Sequence, residues 1–232
     1  MAIPSVRAVG TVASSTGAIT PGMPAGTLAG DILLLFLGTR NQAITVSGGT
    51  ETWTQAADSP VTRGAAVTGV RLTVFWARAS QDAPTSPTTS DSGNMQQGRI
   101  IAISGCIASG DPTDDTASDT NFGTISFPGV TTTVADCLVV FAGVTSIPDA
   151  DSTTEFSSFS FTGLTSITEQ IDNTTSQGNG GGLCAASGGA PTATTYSGGT
   201  CTAASGDSDN VGYSIALKPA LSTSNSSMFL VF

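Results

Sequence analysis

Residues 29–38 read AGDILLLFLG, and residues 135–143 read ADCLVVFAG. Each is an Asp, a short apolar run and a Gly. A run of four to eight apolar residues between turn formers is the pattern of a strand buried on both faces. Superposing Asp31 on Asp136 also aligns Leu33 with Leu138, Phe36 with Phe141 and Gly38 with Gly143. The echo predicts an internal pseudo-repeat, 29–105 and 135–217, with each unit opened by its most hydrophobic strand.

The order of segments after each buried strand supports the repeat. In the first half come a short Thr-rich strand at 52–55, a strong strand at 70–79 and a buried closing strand at 99–104. Within VRLTVFWARA, Leu72, Val74 and Trp76 share one face while Arg71, Thr73 and Phe75 share the other. In the second half, SITEQI (166–171), LCAAS (183–187) and VGYSIAL (211–217) take the corresponding places. Ahead of the first buried strand, SVRAVGTV (5–12) reads as a strand, and Pro21 and Pro24 make the following segment a loop or edge. The acidic stretch DPTDDTASD (111–119) reads as the linker between halves. About ten strands in two packed sheets follow. The expected fold is all-β: one jelly-roll-like sandwich over residues 1–219, with halves at about 5–110 and 120–219 and a C-terminal arm at 220–232. A tandem of smaller sandwiches is the other arrangement open to such a repeat.

Composition agrees. The chain of 232 residues holds 36 Thr, 29 Ser and 28 Gly but one Lys and three Glu, so strand and turn formers dominate helix formers. Its net charge of −10 repels phosphate backbones and anionic lipid, which predicts neither a nucleic-acid nor a membrane partner. The segment MAIPSVRAVG lacks a basic region followed by an apolar core, so no signal peptide is expected, and the six-residue apolar run is too short to span a bilayer.

Chemistry-bearing residues are few. There is no His, which excludes Ser-His-Asp and Cys-His machinery and disfavours zinc. Asp31 and Asp136 recur at matching positions, but an Asp ahead of a buried strand is ordinary turn chemistry. The clusters Asp111/Asp114/Asp115/Asp119 and Asp207/Asp209/Asn210 lack the spacing of a calcium loop and read as solvated. Gly178–Gly182 precedes no helix pattern, so it is no phosphate cradle. No catalytic residue, metal or cofactor is expected. Of the four cysteines, Cys137 reads as a small buried hydrophobe, while Cys184 and Cys201 flank a Gly/Ser/Thr-rich segment and form the candidate disulfide. Trp76 and Tyr213 lie in strands and read as core. Tyr196, in TTYSGGT, is the best candidate for an exposed aromatic that contacts a glycan. At the C-terminus a polar STSNSS spacer leads to Met228, Phe229, Leu230, Val231 and Phe232. Five apolar residues on a polar tether read either as a last strand on the chain's own sheet or as an arm that docks on a neighbouring subunit.

Several stretches together resemble a group of β-sandwich proteins on the virions of tailed bacteriophages: AVGTVASSTGAIT with MPAGTLAGDILLLFLGTRN, TWTQAAD, VFWARAS and YSIALKP. The likeness spans most of residues 5–219, and its most specific part is AGDILLLFLG with Trp53 and Trp76. It implies a virion surface protein, made in the host cytoplasm, with the major capsid protein or other virion proteins as partners. It implies foremost a capsid decoration (cement) protein, and as the alternative a tail- or head-fibre-associated adhesin binding a host glycan. Symmetric homo-oligomers, trimers foremost, are expected of such modules. The segment MFLVF lies outside the resemblance.

Overall fold

The computed structural model describes residues 1–146, 154–204 and 209–221. The expected arm segment Met228–Phe232 and Asp207 lie outside the described residues.

The fold is all-β, with 19 strands among the described residues. The first half carries β1 (Ser5–Val9), β2 (Ala13–Ser15), β3 (Ile32–Thr39), β4 (Val46–Ser47), β5 (Thr54–Gln55), β6 (Val61–Arg63), β7 (Val70–Arg78), β8 (Thr88–Thr89) and β9 (Gln96–Ser104). The second half carries β10 (Thr113–Phe122), β11 (Ile125–Phe127), β12 (Val130–Thr131), β13 (Cys137–Thr145) and β14 (Phe156–Phe161). It continues with β15 (Thr165–Thr175), β16 (Gly181–Ala190), β17 (Thr195–Tyr196), β18 (Gly199–Ala203) and β19 (Asp209–Leu217). The excess over the expected ten is mostly two- and three-residue strands that have no hydrophobic period to read.

Two inner sheets carry the architecture. One runs β1-β9-β3-β7-β5, with β2 beside β9 and β6 beside β7, and the other runs β10-β19-β13-β16-β15. The order is the same in both halves: first strand, closing strand, buried strand, central strand, Thr-rich strand. The repeat is therefore one of topology. All adjacent strands in both sheets are antiparallel. The sheets stack face to face with their orders reversed. Strand β7 crosses β13 and β19, β6 lies over β10 and β19, and β3 lies over β16. This is a pseudo-two-fold arrangement within one chain.

The central strands of each inner sheet are buried on both faces, which is why β3 and β13 read as unbroken apolar runs. Ile32, Leu34, Phe36, Leu72 and Val74 meet Leu138, Val140, Val211, Tyr213 and Ile215 in a core shared by the halves. On the far side of the first sheet, Leu33, Leu35, Leu37, Phe75 and Ile100 pack under a layer of loops with Ile19, Ile44 and Trp53. On the far side of the second, Val139, Phe141, Cys184 and Ala186 pack under Ile125, Phe127, Phe156 and Phe161. That outer layer is built of strands, β11-β18-β14 and β12-β17. The sandwich is thus made in each half and then stacked, and no named strand of one half pairs with a strand of the other.

Two expectations change. The acidic 111–119 segment is not a free linker, because most of it is the edge strand β10, paired with β19 from Thr113 to Phe122. Its alternating Asp and Thr side chains find hydrogen-bond partners, so a polar edge strand forms where composition alone suggests a loop. The letter-for-letter echo is also one residue out of phase. Phe36 points into the shared core, whereas Phe141 points to the outer layer. Side chains alternate across a strand, so a one-residue slip exchanges faces.

The halves are clasped where the chain passes between them. Ile107 N donates to the Lys218 carbonyl (3.2 Å), Lys218 N to the Pro112 carbonyl (2.8 Å) and Ala220 N to the Gly105 carbonyl (2.7 Å). Cys106 and Pro219 form an isolated antiparallel bridge in the same place.

Candidate functional site

The reversed stacking produces two seams at the edges of the sandwich. One joins β5 and β6 to β10 and β19, and it is closed. Tyr213 Oη donates to the Ala57 carbonyl (2.8 Å), Thr116 Oγ1 donates to Asp58 Oδ2 (2.7 Å), and Arg63 Nε pairs with Asp209 Oδ1 (2.8 Å). The other seam lies between β1 and the β15–β16 edge. Its far end is tied by Arg99 Nη1 donating to Asn173 Oδ1 (2.8 Å). Its near end is open and holds a groove of about 440 Å³.

Residues 3–6 form one wall, from Ile3 to Val6. Leu138 and residues 187–189 form the floor, and Thr165, Ser166, Thr168 and Gln170 form the other wall. The groove exists because of its glycines and its edge strands. A Cβ on Gly189 would stand 2.8 Å from Ile3 Cδ1, so the Ile3 side chain lies directly against the glycine on the floor. Strand β15 is bulged between Thr165 and Thr168 and again between Glu169 and Ile171. Ser166 sits at φ 52°, a left-handed conformation that a non-glycine residue adopts at a cost of about 1–3 kcal/mol. The bulges turn the exposed half of β15 away from ordinary edge pairing. Ile3, Val6 and Val9 pack on the shared core but are only partly buried. Among the described residues no charged side chain lines the groove.

The residues singled out from the sequence fall elsewhere. Tyr196 is not an exposed aromatic. It lies in β17, is 3% exposed, packs its ring against Gly163 and donates its hydroxyl to the Thr192 carbonyl at 2.9 Å. Its apolar ring belongs to the core beneath the second outer layer, and its polar tip is satisfied locally. Tyr213 is fully buried, as its place in a strand predicted, and Trp53 and Trp76 are partly buried against the cores.

Cys184 and Cys201 bracket the stretch 191–198 but lie in strands themselves. They sit in β16 and β18, one on the inner sheet and one in the outer layer, with their sulfurs 3.8 Å apart and both thiols free. Burial and the neighbouring sulfur push the Cys184 thiol well above its usual range. Burial likewise pushes Cys106 up to about 12, and burial with the Asp114 charge does the same for Cys137. A thiol that ionises there is no nucleophile at neutral pH.

Several carboxylates are occupied by the fold. Asp31 accepts from Arg7 Nε (2.6 Å) and from Leu28 N (2.9 Å), which fixes the turn into β3. Asp114 accepts from Thr133 N (2.6 Å) and Asp115 from Thr131 N (2.6 Å), so both tie β10 to the start of the outer layer. Asp172 accepts from Glu155 N (3.0 Å) and Phe156 N (3.2 Å), and burial raises its pKa. No group of three or more His, Cys, Asp or Glu is arranged to hold a metal ion among the described residues.

The groove was missed at the level of sequence. Its signals are the pair Gly188-Gly189 on a buried strand and the polar run TSITEQ facing it across the sheet edge. Compared with family models, with curated proteins and with solved structures, the chain matches none.

Proposed function

We propose that the chain is a structural protein of a bacteriophage virion, a capsid decoration protein that binds the outer surface of the shell and stabilises it. The reading rests on the resemblance of residues 5–219 to virion surface sandwiches. The observation that carries it is the root of the C-terminal segment. Residues 218–220, which precede the STSNSS and MFLVF stretches in the sequence, are clasped to the junction of the halves beside the open seam. An uncharged apolar stretch that follows a polar one in the sequence suits an assembling protein. The carboxylates and thiols described above serve the fold, which suits a non-catalytic role. The groups that would contact it are the major capsid protein and neighbouring copies of the chain. The alternative, an adhesin reading a host glycan through Tyr196, loses the residue named for it, because that ring is buried.

Binding to the assembled lattice and not to free subunits stabilises the lattice by mass action. Purified protein mixed with separated capsids and tails is expected to sediment with capsids and to raise their resistance to heat. Sedimentation with tails alone would move the adhesin reading to first place. Sedimentation with neither would end the virion reading.

A further inference from the structure

We infer that the open seam groove is the seat for residues 228–232 of a second copy of this chain, and that two copies exchange these segments reciprocally. The inference rests on the assembly reading only for the role of the segment, and it does not require a capsid.

Chemistry is the first argument. The groove combines apolar surface from Ile3, Val6 and Leu138 with neutral hydroxyl and amide groups, and nothing charged among the described residues lines it. Residues 222–232, STSNSSMFLVF, match that character: neutral and polar, then apolar, without one charge. Segment and groove thus share the same neutral, partly apolar character. Among the described residues, the row Ile3, Val6 and Val9 stays only partly buried on this side of the shared core. At the opposite seam, residues 57–63 and their hydrogen bonds to β10 and β19 cover that core.

Position is the second argument. Ala220 N is bound to the Gly105 carbonyl, and a Cβ on Gly105 would stand 3.5 Å from Pro4 Cα, on the wall of the groove. On the other side, Leu138 on the groove floor is the cross-strand partner of Leu217. The root of the segment therefore lies at the rim of the groove. A return into the same groove needs only a turn of about four residues. The six-residue spacer can instead reach about 20 Å when extended, well clear of its own rim. When donor root and acceptor groove share one patch, a two-fold axis beside that patch brings each root to the other copy's groove. The contact is then isologous and closes as a dimer. The second seat forms within an already joined pair, so it gains from effective concentration. The assembly unit becomes a dimer, where the family resemblance leads one to expect a trimer.

Sedimentation velocity of the full chain over a range of concentrations tests this. The expected species has twice the chain mass of 23.0 kDa. Deleting residues 228–232 is expected to return it to the single mass, with the β signature in circular dichroism unchanged. Thr168→Arg puts a charge at an exposed position of the groove wall with the segment intact, and it is expected to give the same loss of dimer. A full chain that stays at the single mass at every concentration would overturn the inference. So would a dimer that survives both variants. If the monomeric full chain shows slower amide exchange than the truncated chain at residues 3–6 and 165–170, the segment sits in its own groove, and reciprocal exchange is refuted. Failure to bind capsids leaves these outcomes untouched, so the two readings fail separately.

Discussion

The first half covers its inner sheet with loops, and the second half covers the equivalent sheet with strands. Strand order beneath the two covers is identical. Over β3 and β7 lie Ile19, Ile44 and Trp53, carried by irregular segments and the short β4–β8 ribbon. Over β13 and β16 lie Phe127 and Phe161, carried by β11 and β14, with ring centroids 4.8 and 5.0 Å from that of Phe141 on β13. The difference teaches that the inner sheets are the repeated unit and the outer layers are fitted to each half separately. Burial on both faces constrains every residue of an inner strand, whereas an outer layer needs only a few apolar contacts and can be built either way.

The largest test of this contrast is a pair of truncations. Phe36→Ala opens a void in the core shared by the halves, and Phe141→Ala opens one beneath the second cover only. Each is expected to cost about 3–5 kcal/mol in denaturant unfolding. Amide exchange should separate them: faster in both inner sheets for Phe36→Ala, and chiefly in β11, β14 and β18 for Phe141→Ala. Uniform acceleration in both variants would mean that the covers are not separate units. A second test uses the thiol pair that links sheet to cover in the second half. Peptide mapping of the unreduced protein should find Cys184 and Cys201 free, and a mild oxidant should join them. Closing a loop of 17 residues is expected to add about 3 kcal/mol. If no oxidant joins them, the sulfurs do not face each other. The smallest effect concerns the closed seam. Tyr213→Phe removes the donor to the carbonyl of exposed Ala57, at a cost of about 0.5–1.5 kcal/mol by urea titration. No loss would mean that packing alone closes the seam.

How much was legible follows from the same contrast. AGDILLLFLG and ADCLVVFAG announce themselves because both faces of each strand are buried. The alternation of Leu72, Val74 and Trp76 against Arg71, Thr73 and Phe75 announces β7. Even so, similarity of letters misled by one residue: the Asp-to-Gly frame aligned Phe36 with Phe141, and period-2 geometry puts those side chains on opposite faces. β10 was hidden because its Asp and Thr residues are held by hydrogen bonds that no local pattern reveals. Tyr196 looked exposed because its neighbours are Thr, Ser and Gly, yet the strand that buries it lies about 65 residues earlier in the chain, at Val130–Thr131. The groove was invisible for a related reason. Its walls, residues 3–6 and 165–170, lie about 160 residues apart in the chain and meet only because the two sheets stack in reverse order.

The clasp at residues 105–112 and 218–220 has a mechanical meaning. Its three backbone hydrogen bonds attach the last described stretch to the crossing between halves. Tension applied at Leu221 is therefore delivered first to that crossing and shared by both sheets, instead of peeling β19 from its end. A segment anchored in this way can carry load without unzipping the strand that precedes it.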